Sequence, residues 1–335
     1  MAVIDVGVDL GSTQLRCAYA AYGDQPSVVT VSGADWPWLL CEPAAGSTVP
    51  VSFPSLKSKL GTESTDAGVA PADLVTKALD VVRTGILRES GTGIGQTVIS
   101  VPTRFPTIAR TALLAAAADA GLTDVSLITD SVATVINQAT DVHTGTYLVY
   151  GMGYRGYELG LVRAVRGTYR VLGYEGAAVP GGATLDALVL GSWLAALRQH
   201  GALPKGTYRG AADWPRLRQL AEQVKLRLAA GQSVLFPQSV PAPGGELHVK
   251  FEQSSFHRQV QAMLSGPLDR IAALLKRTEL NPSAVDFITL SGGSTTMPAL
   301  REAVGRLGRP VAVAEDNHIA IGALRHAHQL GRRPT

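Results

Sequence analysis

The stretch Val8-Asp9-Leu10-Gly11-Ser12-Thr13-Gln14 carries the first chemistry in the chain. A carboxylate, a glycine and two hydroxyls fall between two runs of β-forming residues, so the segment reads as strand, tight turn, strand. Backbone N–H groups and hydroxyls of such a turn can take phosphate oxygens, and the carboxylate behind them can anchor metal-bound water. An ordinary hairpin turn fits the same residues, because short glycine-containing turns are weak motifs. A second polar pair, Glu222 and Lys225, lies on a stretch whose apolar stripe is Leu217, Leu220, Val224 and Leu228. Residues three apart share a helix flank, so the two could reach one ligand together; a surface ion pair is the alternative.

These residues need a scaffold, and the apolar pattern supplies one. Residues 2–9, 14–21 and 27–31 read as three strands of an antiparallel meander. Residues 32–95 change character, with Trp36-Pro37-Trp38, Pro43, Pro50 and Pro54, one helix opening at Pro71-Ala72, and the glycine-rich 91–95. Strand, helix, strand, helix follow at 97–102, 107–120, 125–130 and 132–139, with Gly121 as a C-cap. The opening theme then returns: strands at 146–150, 157–165 and 169–174 surround the turn Gly151-Met152-Gly153-Tyr154-Arg155-Gly156. Recurrence at this distance implies two domains of like topology with a cleft between them. Residues 184–280 read as mostly helical, including a helix over 213–230. A strand at 287–290, the glycine-rich turn 291–295, a helix at 298–307, a strand at 311–314 and a helix at 318–330 complete the pattern.

Composition bounds the reading. The 335 residues exceed one ordinary compact unit, and 46% hydrophobic with 17% charged residues is globular. A net charge of +3 with no basic block gives no sign of nucleic acid, and residues 331–335 read as a frayed end. Cys17 and Cys41 make neither a disulfide framework nor a metal cluster, and Cys17 reads as a small core residue. The chain enters a strand directly, without a signal-like start, and no apolar run is long enough to span a bilayer. A cytoplasmic location away from membranes is the expectation.

The order of motifs resembles the actin-like ATPase superfamily, most closely the ATPase domain of the heat-shock protein 70 (DnaK-like) chaperones. The resemblance is carried by Val8 to Thr13, by Val98-Ile99-Ser100-Val101-Pro102-Thr103-Arg104-Phe105 and by Leu127-Ile128-Thr129-Asp130-Ser131-Val132-Ala133. It continues in Leu290-Ser291-Gly292-Gly293-Ser294-Thr295-Thr296-Met297-Pro298 and in Asp316-Asn317-His318-Ile319-Ala320-Ile321-Gly322-Ala323. It implies an α/β, actin-like ATPase (ribonuclease H-like) fold of two lobes. Lobe I would be 1–145, with an inserted subdomain at 32–95; lobe II would be 146–332, with one at 184–284.

The resemblance also assigns roles. Asp9 would hold magnesium through water, Gly11, Ser12 and Thr13 would meet phosphates, and Lys57 would reach the γ-phosphate, a solvated loop lysine being the alternative. Asp130 stands where the family has a glutamate on the attacking-water side. Gly181, Gly182 and Asp186 match a Gly-Gly-x-x-x-Asp segment, and Glu222 with Lys225 match a pair that grips the ribose. Gly292, Gly293, Ser294 and Asp316 complete the implied ATP/ADP site.

The second phosphate loop departs from the family pattern Asp-Leu-Gly-Gly-Gly-Thr-Phe-Asp. Gly151 replaces the first aspartate, a magnesium-side carboxylate; Gly153 keeps a glycine; Tyr154 and Arg155 replace glycines; Gly156 replaces threonine; and Glu158 replaces the last aspartate. Loss of a carboxylate weakens the charge compensation that phosphoryl transfer needs. The implied magnesium site is therefore weakened, and Arg155 either supplies part of the missing charge or, as loop arginines usually do, turns outward to solvent. The expectation is a nucleotide-binding protein with slow or absent hydrolysis that serves a partner protein, without the family's linker and β-rich substrate domain. The alternatives are a scaffold that binds no nucleotide, with Tyr154 and Arg155 plugging the old phosphate site, and, ranked last, an actin-like filament former or a kinase of the sugar-kinase branch.

Overall fold

In the computed structural model, the described residues are 3–32, 56–62, 70–139, 144–202 and 214–331. In chain order the elements are β1 (Val3–Leu10), β2 (Gln14–Ala20), β3 (Ser27–Ser32), α1 (Leu56–Lys59), α2 (Pro71–Ser90), β4 (Gly93–Val101), α3 (Thr107–Asp119), β5 (Val125–Thr129) and α4 (Asp130–Gln138). There follow β6 (Gly145–Met152), β7 (Tyr157–Val165), β8 (Thr168–Ala177), α5 (Gly182–Gln199) and α6 (Trp214–Ala229). Next come β9 (Val234–Leu235), β10 (Val240–Ala242), β11 (Gly245–Leu247), β12 (Lys250–Phe251) and α7 (Gln253–Arg277). β13 (Phe287–Ser291), α8 (Pro298–Gly305), β14 (Val311–Val313) and α9 (His318–Leu330) complete the order.

Two five-stranded sheets repeat one topology. The first runs β3-β2-β1-β4-β5 and the second, in the same sense, β8-β7-β6-β13-β14. In each, an antiparallel meander of three strands continues into two parallel strands. The mixed α/β architecture is the one that the sequence implied.

Period-two alternation decides what each sheet face does. On β1, Ile4, Val6, Val8 and Leu10 point into a core shared with α2 and α3, so Gly7 and Asp9 point the other way. That second face is covered by α9, which approaches so closely that a Cβ on Gly7 would lie 2.2 Å from the Ala320 carbonyl oxygen. In the second sheet, Leu148, Tyr150, Leu159 and Leu161 pack on α5–α8, while Tyr147, Val149, Val162 and Ala164 pack on Val135 of α4 and on Ala139, its C-cap.

The two covering helices are exchanged. α4 follows a strand of the first sheet yet packs on the second, and α9 follows a strand of the second yet lays Ala320 and Leu324 on Ala18 and Ala20 of the first. They meet between the sheets, where a Cβ on Gly322 would stand 1.9 Å from the Ala133 carbonyl oxygen. Only glycine permits that spacing.

Several local expectations need correction. The strand predicted to stop at 150 runs through Met152, because Leu148, Tyr150 and Met152 all face the core, so the turn is Gly153–Gly156 only. β4 begins at Gly93, inside the glycine-rich segment assigned to an insertion. Asp130 opens α4 rather than closing β5, with Thr129 as N-cap. The stretch 184–280 carries four short strands beside its helices, paired β9–β12 and β10–β11. The prolines and tryptophans of 33–55, Cys41, the start of the helix predicted from 213 and the tail at 332–335 lie outside the described residues.

Candidate functional site

A cleft of about 560 Å³ opens between the two sheets, a size that suits a mononucleotide. All the candidate residues line it except Gly181 and Asp186. Gly181 lies just behind, where a Cβ would meet the Gly156 nitrogen at 2.4 Å.

On the first-sheet side, Gly11, Ser12 and Thr13 form the β1–β2 turn at the cleft surface. Asp9, one strand position inside, pairs across the hairpin with Arg16, and the two side chains share the cleft face. Their closest approach is 3.6 Å. Burial pushes the Asp9 carboxyl up to about 6, against the pull of Lys57 and Arg16. Arg16 is a cleft residue that the sequence reading passed over: strands ending at Asp9 and resuming at Gln14 set those two opposite each other, whereas the ladder runs on through Leu10 and Leu15 and sets Asp9 opposite Arg16. Lys57, on α1, is no solvated loop lysine: its side chain is mostly buried and its Nζ lies 3.4 Å from Asp130.

Across the cleft, Glu158 accepts a 2.9 Å hydrogen bond from the Thr103 backbone N–H, and burial raises its carboxyl. One carboxylate oxygen each of Asp130 and Glu158 is buried without a hydrogen-bond partner. Both can accept from a bound molecule or its water. A divalent ion is served less well. Asp9 faces a guanidinium, Asp130 faces an ammonium, and Gly151, opposite Glu158 in the ladder, offers no side chain. Among the described residues no group of three His, Cys, Asp or Glu side chains is placed to hold a metal. The protein groups at this end do not fit a magnesium ion ligated by the chain.

The second-sheet turn is tied to the start of α5. Gly182 N–H donates to the Gly153 carbonyl at 2.9 Å and Ala183 N–H to that of Tyr154 at 2.8 Å. These two helix-terminal donors, which could otherwise meet an anion, are spent on the turn. Tyr154 lies against Gly182 and its hydroxyl is raised by burial. Arg155 is exposed at the cleft surface.

The remaining end is built from α5, α6 and the segment after β13. Lys225 is buried and its ammonium lies 2.8 Å from buried Asp186 and 3.7 Å from half-exposed Glu222. That is more than a surface ion pair, because a buried cation is held by a buried anion. Gly292 has φ +96, and a Cβ there would meet the Met152 carbonyl oxygen at 2.7 Å, so glycine is required. Gly293 faces open space. Behind it, Ser291 Oγ and His318 Nε2 are 2.7 Å apart and buried. His318 Nδ1 donates to the Glu315 carbonyl, so Nε2 carries the lone pair that accepts from Ser291. Burial disfavours the charged imidazole. Neither residue was singled out from sequence, because a contact between a strand end and a helix start leaves no local signal.

Comparison with known proteins gives one consistent answer. The family model described as "Hsp70 protein" matches residues 48–331. The chain is similar to the chaperone protein DnaK of Mycoplasmoides gallisepticum, 27% identical over 95% of this chain and 58% of that protein. It is similar also to HscA homologues of Delftia acidovorans, 28% identical over 81% of the chain and 43% of the relative, and of Paracidovorax citrulli, 30% identical over 70% and 37%. The chain thus spans about half the length of these relatives.

Proposed function

Because the chain belongs to the Hsp70 family, we propose that it binds ATP or ADP in the cleft between its sheets, turns it over slowly or not at all, and serves a partner protein through the nucleotide state. The observation that carries this reading is the Lys225 ammonium fixed between Asp186 and Glu222, beside the open surface at Gly293. A fixed cation and a half-exposed carboxylate can hydrogen-bond the two ribose hydroxyls, and an open glycine leaves room for a planar base. The β1–β2 turn, with Ser12 and Thr13, offers hydroxyls toward the phosphates. Asp130 and Glu158 retain unpaired oxygens that can orient a water.

Slow turnover follows from what the phosphate end lacks. Gly151 contributes no carboxylate, and the first two amides of α5, which could otherwise meet a phosphate, donate to the carbonyls of Gly153 and Tyr154 in the turn. Each lost transition-state contact costs about 3 kcal/mol. No helix among the described residues is long and apolar enough to cross a membrane, and we place the activity in the cytoplasm on a protein client or partner enzyme.

Calorimetry with ADP and ATP tests the binding step. Saturable heat is expected for both; no heat for either at millimolar nucleotide removes the reading and leaves a scaffold that uses the fold without the ligand. Phosphate release, measured beside Asp9→Ala, tests the turnover step, with rates near those of the variant expected.

A further inference from the structure

Resting on the nucleotide-binding reading above, we infer that Arg16 is the resident cation of the phosphate end, so that nucleotide binds this cleft without a divalent metal. Four observations converge on it. The hairpin register sets Arg16 directly opposite Asp9 on the face that lines the cleft. Its guanidinium approaches the Asp9 carboxylate to 3.6 Å, and both side chains are largely buried. Gln14, on the same strand face and also lining the cleft, accepts a hydrogen bond from the same guanidinium, so the group is held from two sides. Gly151, which lines the same cleft, brings no side chain, and one oxygen of Asp130 faces the Lys57 ammonium.

The chemistry favours the guanidinium over an incoming ion. Magnesium sheds its water reluctantly and binds through carboxylates and phosphates together. Here Asp9 already faces the Arg16 guanidinium and Asp130 the Lys57 ammonium, so an ion entering beside either carboxylate must compete with a cation that belongs to the fold. Arginine stays charged at any physiological pH, is weakly hydrated, and presents a planar fork to phosphate oxygens. It can keep one edge on Asp9 and turn the other toward the ligand. Arg155, for which an outward position was the alternative to this role, is exposed, whereas Arg16 is held in the cleft wall.

The experiment is calorimetric titration of ADP into the full chain, in excess magnesium and in EDTA, for the native protein, Arg16→Ala and Arg16→Lys. The native dissociation constant should differ less than about threefold between the two buffers, which is under 1 kcal/mol of binding free energy. Arg16→Ala should lose about tenfold or more in EDTA and recover in magnesium, because Asp9 is then released for the ion. Arg16→Lys should keep most of the metal-free affinity. A native affinity that collapses in EDTA overturns the inference, and this arm needs no variant to fold. Unchanged metal-free affinity in a folded Arg16→Ala overturns it too. Absence of heat in both buffers defeats the nucleotide-binding reading itself, an outcome distinct from metal-dependent binding.

Discussion

Asp186 and Lys225 permit a quantitative test of how the ribose end is held. Both are more than nine-tenths buried and their charged atoms lie 2.8 Å apart. Removing one member of such a pair leaves an uncompensated charge in a poor solvent and ordinarily costs 3–5 kcal/mol, or roughly that. Glu222 lies 3.7 Å from the same ammonium but is half exposed, so it recovers part of the loss. Asp186→Ala should therefore destabilise the chain by about 2–3 kcal/mol in urea unfolding. The paired replacement Asp186→Leu with Lys225→Met removes both charges and refills the space, so its cost should stay below about 1.5 kcal/mol. With Asp186→Leu and Lys225→Met each costing about 2–3 kcal/mol alone, the cycle then shows a coupling of about 2.5 kcal/mol or more. A single-variant cost under about 1 kcal/mol, or a double variant as costly as the sum of its parts, would refute the view that the pair is one buried unit. In ADP titrations Lys225→Met should weaken binding whichever way stability moves, since the ligand-facing cation is gone.

Three further outcomes follow from the same geometry. Gly151→Asp should be accepted, because a Cβ there meets only the Glu158 carbonyl oxygen at 3.6 Å; ADP affinity measured with and without magnesium should become metal-dependent. Gly156→Thr, which restores another family residue, should not be accepted: its Cβ would stand 2.1 Å from the Ala177 carbonyl oxygen, and urea melts should show a loss of about 3 kcal/mol. His318 gives a pH dependence. Burial lowers its folded-state pKa, so below the ordinary value of 6.5 the unfolded chain binds the extra proton first and stability falls as pH drops from there. Melts of the native chain and His318→Gln across pH 7 to 5 should converge on acidification, and curves that run parallel would exclude the imidazole as the source.

How much was legible depended on how local each feature is. The β1–β2 hairpin, the repeated meander and the glycine-rich segments were visible because alternation and turn residues lie within a few positions of one another. The Asp9–Arg16 pairing was hidden even there, because strands ending at 9 and resuming at 14 count Asp9 against Gln14, two positions from the observed register. Likewise, the extension of β6 through Met152 was hidden because glycine at 151 looked like a turn residue, while burial of Met152 against the core kept the strand going. Strands of two or three residues such as β9 and β12 are too short to show a period at all. Lys57–Asp130 and Ser291–His318 join residues from distant elements, and only the packed sheets bring them together.

The exchange of α4 and α9 has a consequence for how the chain is made. As synthesis proceeds, β1 to β5 and α4 emerge before any strand of the second sheet exists. Val135 and Ala139 then have nothing to cover, and the first sheet waits for Ala320 and Leu324 from α9, which follows every strand of the second sheet. Neither half can shield its apolar faces alone, so the final closure joins residues about three hundred positions apart and is slow by the ordinary cost of distant contacts. Two fragments cut between α4 and β6 would each expose one helix-sized apolar strip, and each strip is the complement of what the other fragment lacks. In the nascent protein both strips stay open until α9 has emerged.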